Sequence, residues 1–294
     1  MSRIRLAAAG AALWSLCVAG GALAGPAPAA PAAKSFHLGA FEVTALRDAR
    51  NIVPNDGSVF GADPPAAAKL LAQAGAPTDA VSLSIDALLV RTPGHLVLLD
   101  TGLGPGHHGV LQASLTLAGM SADQVTDVLI THSHGDHVGG LTDDAGKPAF
   151  PKAVVRMSVK EWAWMQAQDP KLAAVIAPQV QAFEPGQPIL PGITPVALYG
   201  HTPGHTGYVI RSQGHALEDI GDIAHSSILS LARPDWRDGY DADKAAGEAT
   251  RRTELGRLAA SHDLVFAPHF PFPGVGHVVA DGQDFAWKPA ALGQ

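Results

Sequence analysis

The chain reads as a layered α/β domain in which helices cover sheets. Three observations carry that reading. Short apolar or alternating runs of strand length recur from Phe36 to Ala267. Helical patterns stand between these runs and again near the C-terminus. Glycine and proline, 32 and 23 of 294 residues, punctuate the changes from one to the other.

Taken in order, the alternation Phe36, Leu38, Phe41, Val43, Ala45 predicts a first strand or hairpin. Pro54, Asn55-Asp56-Gly57 and Gly61 mark loop and turn, and Pro64-Pro65 starts a helix through Gln73 that Gly75 ends. Strands at 82–91 and 95–99 follow, joined by Thr92-Pro93-Gly94, and the second runs into Asp100. Helices are predicted over 110–118 and 121–125, then a strand over 127–130. A strand over 153–157 leads to a helix capped by Ser158 and holding Glu161, and a further apolar helix is predicted from Lys171 to about Ala182. Strands at 194–199, 207–211 and 216–220, a long helix over 242–260 and a strand over 264–267 complete the reading. No internal repeat of fixed period is visible.

The first 24 residues have the pattern of a secretory signal peptide: Arg3 and Arg5, an apolar stretch from Leu6 to Leu23, and the small-x-small site Ala22-Leu23-Ala24. The arginines are not a twin pair, so the general export route to the periplasm or exterior is expected. Residues 25–35 are rich in Pro and Ala and read as a loose linker. Residues 36–294 form the domain, with 47% hydrophobic residues across the chain to build its core. The only cysteine, Cys17, lies in the signal and follows a poor lipoprotein box, so a mature chain has neither disulfide nor cysteine metal ligand. Removing the signal removes two arginines and no acids, leaving 18 basic and 27 acidic side chains, a net −9. That field and the lack of a Lys/Arg cluster argue against nucleic acid. A stable membrane anchor after cleavage is not expected, and a homodimer is compatible with the composition.

The densest chemistry is Thr131-His132-Ser133-His134-Gly135-Asp136-His137-Val138-Gly139-Gly140, directly after the apolar run Val128-Leu129-Ile130. In extended chain, side chains two apart point the same way, so His132 and His134 can grip one ion together. Asp136 and His137 are adjacent and must diverge, which suits a second ion beside the first. Gly135 can turn the backbone between the pairs, and Gly139-Gly140 allows close packing beneath the loop. Further candidates stand where strands give way to loops: His205 in Gly200-His201-Thr202-Pro203-Gly204-His205-Thr206, Asp222 after Gly221, and His269 after Pro268. Asp100, before Gly102, is either a turn residue or a group bracing the site.

The ordered set His132-x-His134-x-Asp136-His137, His205, Asp222 and His269, with Asp100 upstream, resembles the metallo-β-lactamase fold superfamily of metallohydrolases over nearly the whole mature chain. The resemblance implies a four-layer αββα sandwich with a two-metal site along one edge. It implies that His132, His134 and His205 bind one metal, that Asp136, His137 and His269 bind the other, and that Asp222 bridges them while Asp100 braces the metal loop. The segments 149–156, 200–206 and Pro268-His269-x-Pro271-Phe272-Pro273-Gly274 are most similar to the methyl parathion hydrolase branch and its lactonase relatives, which are typically exported. The chain departs from that branch in a shorter region between Trp164 and Ile189. It also has His225 where lactonases often place a tyrosine, and two acids, Glu218 and Asp219, in the strand before Asp222.

Histidine and carboxylate ligands suit zinc first, with iron, cobalt or manganese also accommodated. Two such divalent ions sharing a water would supply hydroxide at neutral pH to attack a carbonyl carbon or phosphorus. Asp136 or Asp222 would pass a proton to the leaving group. A Gly-x-Ser-x-Gly nucleophile motif is absent. His225, Phe270, Phe272, Trp162 and Trp164 are candidates for the pocket, although core packing is the better reading for the tryptophans. The expectation is a metal-dependent hydrolase of a small, neutral, apolar ester-like substrate: a lactone, an aryl ester or a phosphotriester. Thioesterase or β-lactamase activity on the same fold, or a metal-binding protein without turnover, are the alternatives.

Overall fold

The protein is described as a computed structural model over residues 25–61 and 63–293. The signal-peptide reading of residues 1–24, including Cys17, lies outside the described residues. The strands run in chain order as β1 (Gly25–Ala27), β2 (Ala32–Leu38), β3 (Phe41–Pro54), β4 (Ala80–Thr92), β5 (His95–Leu99), β6 (Asp127–Leu129), β7 (Val154–Ser158) and β8 (Val180–Phe183). Then come β9 (Ile193–Ala197), β10 (Thr206–Ser212), β11 (His215–Asp219), β12 (Leu264–Phe266), β13 (Val275–Asp281) and β14 (Asp284–Pro289). The helices are α1 (Pro64–Gln73), α2 (Leu111–Leu117), α3 (Gly135–Val138), α4 (Val159–Gln168), α5 (Pro170–Ile176), α6 (Leu229–Ala232) and α7 (Lys244–Ser261).

Strand alternation builds the layers. On β4, Leu88 and Val90 face one core while Ala87 and Leu89 face another. On β5, Val97 and Leu99 divide from Leu96 and Leu98 in the same way. A period of two puts these sets on opposite faces of the first sheet, ordered β1-β3-β4-β5-β6-β7-β8 with β2 also on β3. Its outer face packs on α2, α4 and α5 through Leu111, Leu115, Met165 and Ile176. Its inner face packs on the second sheet, β14-β13-β12-β11-β10-β9, through Tyr208, Ile210, Leu217 and Phe266. The far face of that sheet is covered by Leu255 and Leu258 of α7. The four layers are the expected αββα order.

Two expectations are corrected, and one element is added. The segment 25–35 is no loose linker: β1 pairs with Arg50–Ile52 of β3, and β2 takes up register from Ala32. The backbone hydrogen bonds offered by the edge of β3 outweigh the flexibility its composition implies. The helix expected from Lys171 to Ala182 stops at Ile176, and Val180–Phe183 joins the sheet beside β7. Pro178 removes a donor and breaks the helix there. The closing hairpin of β13 and β14 had no counterpart in the pattern reading.

The two acids of β11 are both buried, at 1% exposure. Glu218 is held by Arg257 of α7, with Glu254 beside it, and Asp219 accepts from the Gly221 N–H at 3.0 Å. No helix among the described residues is long and apolar enough to cross a membrane.

Candidate metal centre

The strands β5, β6 and β7 run parallel, as do β11 and β12, so within each sheet their C-terminal ends share an edge. Loops leaving that edge carry the chemistry. β5 delivers Asp100, β6 delivers His132 to His137, β11 delivers Asp222, and β12 delivers His269. The segment after β9 adds His201. Close approach of the loops depends on glycine: a Cβ on Gly140 would lie 2.1 Å from the Thr101 carbonyl oxygen. Gly135, by contrast, begins α3 with open space around it and an ordinary φ, so its turn does not require glycine.

Four overlapping groups of possible ligand atoms result among the described residues, two of them built on Asp222, with His132 and His137 or with His201 and His225. His134 Nδ1, His132 Nε2 and His201 Nε2 lie 3.1, 3.1 and 2.9 Å apart. Asp136, His137 and His269 form a second group, with His137 Nε2 3.8 Å and His269 Nε2 3.6 Å from the Asp136 carboxylate. Asp222 stands between them. Its Oδ2 is 3.6 Å from His132 Nε2, 3.4 Å from His201 Nε2 and 3.1 Å from His269 Nε2, while Oδ1 is 3.3 Å from His137 Nε2.

These atoms fit divalent metal. Ligands on a tetrahedral zinc lie about 3.4 Å apart, close to the separations within the histidine triad. Among the described residues, the buried atoms His137 Nε2 and Asp222 Oδ1 lack any hydrogen-bond partner, a costly state unless something else claims their lone pairs. The opposite nitrogens are committed. His137 Nδ1 meets Asp100 Oδ2 at 2.8 Å, His201 Nδ1 meets Asp241 Oδ1 at 3.1 Å, and His269 Nδ1 donates to the Ser84 carbonyl at 2.7 Å. Such contacts fix the tautomer and leave Nε2 free to ligate. Burial pushes His132 and His201 well below the usual histidine range, toward the neutral form that binds metal. Burial alone would raise Asp222, yet the surrounding imidazoles, His137 foremost, hold its carboxyl well below the usual range.

His205 is the site correction. Its Nδ1 donates to the Leu198 carbonyl at 2.8 Å, and its Nε2 accepts the Asp222 N–H at 2.9 Å. Both ring nitrogens are used, so neither can hold an ion. Its role is to fix the backbone of Asp222, and burial pushes its pKa down to about 4. Gly221, at φ +47°, allows this approach, since a Cβ there would sit 2.4 Å from His205 Nε2. His201 takes the ligand place. The loop holds both histidines: His205 directly precedes β10, whose pairing pins it, whereas His201 stands in the turn before it.

The remaining site residues divide. Asp100, at φ +59°, accepts from the Thr131 N–H at 2.8 Å and Thr131 Oγ1 at 2.7 Å, bracing the loop as well as His137. His225 is in the site, with Nε2 3.1 Å from Asp222 Oδ2 and Nδ1 2.8 Å from Asp238 Oδ2. None of the four pocket aromatics lines the cavity above the metal groups. Phe270 is buried edge-on to Trp287, and Phe272 lies under the Arg47 guanidinium. Trp162 packs on the outer core and Trp164 is half-buried on α4. The cavity, about 620 Å3, is lined instead by Pro26, Leu83, Ile85 and Leu103 on its apolar side, with Asn51, His107 and Tyr240 also on its wall. No motif marks these residues.

The comparisons with known proteins agree with this geometry. Residues 82–269 match the family profile of the metallo-beta-lactamase superfamily. An uncharacterized protein of Bacillus subtilis (strain 168), YobT, is 29% identical over 196 residues, 64% of this chain and 70% of that protein. Among solved structures, AidC, described as a dizinc quorum-quenching lactonase, superposes with a TM-score of 0.84 at 26% identity, covering 90% of this chain and 99% of that one. The hydrolase AbOPH of the beta lactamase superfamily gives 0.82 at 28% identity, over 90% and 100%. The chain belongs to the metallo-beta-lactamase superfamily and is a metal-dependent hydrolase.

Proposed function

We propose that the protein is an exported binuclear hydrolase that opens the ring of a neutral lactone bearing an apolar substituent. The observation that carries this reading is the placement of two ligand groups, joined through Asp222, at the floor of a cavity whose wall includes Pro26, Leu83, Ile85 and Leu103. His132, His134 and His201 would hold one divalent ion, zinc being the best match to the donors, and Asp136, His137 and His269 the other. Ions there would supply a hydroxide nucleophile at neutral pH and polarise the substrate carbonyl.

The protein's own groups do the rest. The carboxylate of Asp222 is locked by the His205 contact to its backbone and by His225 at its Oδ2. Asp136, with a side chain 26% exposed, is the more accessible carboxylate at the floor and is placed to relay a proton from the attacking water to the leaving alkoxide. Apolar residues around the floor strip water from the substrate and seat its hydrocarbon part. The likeness to a lactonase at 26% identity favours a lactone over other ester-type substrates.

Protein reconstituted with zinc is tested on acyl lactones, aryl esters, phosphotriesters, thioesters and β-lactams. Lactones should give the highest kcat/KM. Preferential turnover of phosphotriesters would move the substrate class while keeping the chemistry, and turnover of thioesters or β-lactams alone would overturn the reading. Export is tested by fractionating cells and sequencing the mature N-terminus, which should begin at Gly25.

A further inference from the structure

Helix α4 lies outside the loops that carry the ligands, yet one of its side chains reaches two of them. Ser158 and Glu161 have the spacing of a capping box, in which the glutamate would fold back to the N-cap backbone. Ser158 does cap the helix, its Oγ accepting the Glu161 N–H at 3.1 Å. The Glu161 carboxylate goes elsewhere. Its Oε1 accepts from the Ser133 N–H at 2.7 Å and the Ser133 hydroxyl at 2.6 Å. Its Oε2 accepts from the Thr202 hydroxyl at 2.6 Å and the Gly204 N–H at 3.2 Å. The residue is fully buried.

The places of those donors give the contact its meaning. Ser133 stands between His132 and His134, and Thr202 follows His201. One carboxylate therefore joins the two loops that carry all three nitrogens of the histidine triad. It makes no hydrogen bond to the loops of Asp222 or His269. Ser158 adds a second tie, its hydroxyl donating to the Gly204 carbonyl at 2.7 Å. Hydrogen bonds to a carboxylate are charge-assisted and short, so the clamp is stiff.

We propose that Glu161 is a positioning residue that sets the spacing of the His132–His134–His201 triad, and so governs metal affinity at that site in preference to the site of Asp136, His137 and His269. This rests on the reading of two metal sites. Removing the clamp loosens the His201 loop from the His132–His134 loop, which the Thr206 N–H still ties at the Thr131 carbonyl, while the second site keeps its own supports, Asp100 behind His137 and the Ser84 carbonyl behind His269.

The test is a metal titration against a competing chelator, with zinc and with cobalt, on the wild-type protein, Glu161→Gln and Glu161→Ala. Glutamine keeps the size but turns an amide NH2 toward donors. One of the two metal affinities should fall about ten- to a hundredfold in Glu161→Gln, the other should hold within about twofold, and the cobalt ligand-field bands of the weakened site should shift. Asp169→Ala, which removes the N-cap of α5, serves as a destabilised control and should leave both affinities unchanged. Unchanged affinities in both Glu161 variants would overturn the proposal, as would equal losses at both sites or an equal loss in Asp169→Ala. If Glu161→Ala does not fold, the isosteric Glu161→Gln decides. Wild-type stoichiometry reports separately on the two-site reading: a single equivalent would overturn that reading, and the response of its cobalt spectrum to Glu161→Gln would still judge the clamp.

Discussion

The floor of the cavity is drawn from strand ends in both sheets, and its histidine rings are held from behind by committed partners. Its walls come from elsewhere: Pro26 on the N-terminal β1, Asn51 and Leu83 on β3 and β4, and Leu103, His107 and Tyr240 on loops. The floor is over-determined, with Asp100, Asp241 and the Ser84 carbonyl each holding one ligand ring. The walls are set by shape and carry few hydrogen bonds. Chemistry is thus fixed by a rigid network, while substrate choice is left to residues that can change without disturbing it.

The sharpest test of that division lies within one loop. His201 has a ring nitrogen free for metal, whereas His205 has both committed to the backbone. His201→Ala should lose one metal equivalent and bring kcat/KM below about 1% of wild type. His205→Ala should keep its metal after reconstitution but leave a buried carbonyl and a buried N–H unpaired. At about 1–3 kcal/mol for each orphaned group, its stability should drop by roughly 2–6 kcal/mol. Metal analysis and thermal unfolding of the two variants separate these outcomes. Metal lost from His205→Ala and retained by His201→Ala would restore the ligand set read from the sequence.

That loop also shows what a sequence makes legible. The fold followed from strand alternation and helix signals, and most candidate ligands from histidine spacing at strand ends, because both are local patterns. Choosing between His201 and His205 needed hydrogen bonds to Leu198 and Asp222, which only the assembled loops reveal. The pairing of residues 25–38 with β3 was hidden because a Pro/Ala composition says nothing of a free sheet edge nearby. Asp241, Glu161 and the wall residues reach the site from distant elements, and no spacing rule joins them to it.

Away from the floor, a buried charge offers a smaller effect. Burial, then repulsion from Glu254, pushes the Glu218 carboxyl from its ordinary 4.5 up to about 8, against the attraction of Arg257. The folded protein then holds a proton that the unfolded chain has released. The associated stability is complete below about pH 4.5 and is lost as pH rises to about 8. Because Arg257 is 43% exposed and water screens the pair, the change should be on the order of 2 kcal/mol. Glu218→Gln cannot titrate there. Unfolding curves of the two proteins should converge in a different way at each end: wild type gains on the variant as pH falls and loses its advantage by pH 8. Parallel pH profiles would mean that Arg257 keeps Glu218 ionised throughout.

The smallest effects should mark the wall itself. Phe272 adjoins His269 in sequence through Phe270 and Pro271, and that nearness made it a pocket candidate. Its ring lies instead beneath the Arg47 guanidinium, 4.4 Å from the guanidinium carbon, and packs on the inter-sheet core. Phe272→Ala should therefore leave kcat and KM within about twofold, as for a substitution away from the site. Tyr240 lies on the cavity wall, its ring centroid 5.1 Å from that of His225. Tyr240→Ala should raise KM several-fold with a lesser change in kcat, the sign of lost binding shared by ground and transition states. If kcat fell by more than KM rose, Tyr240 would belong with the floor, acting on the reacting carbonyl, and the boundary between chemistry and substrate choice would have to be redrawn through it.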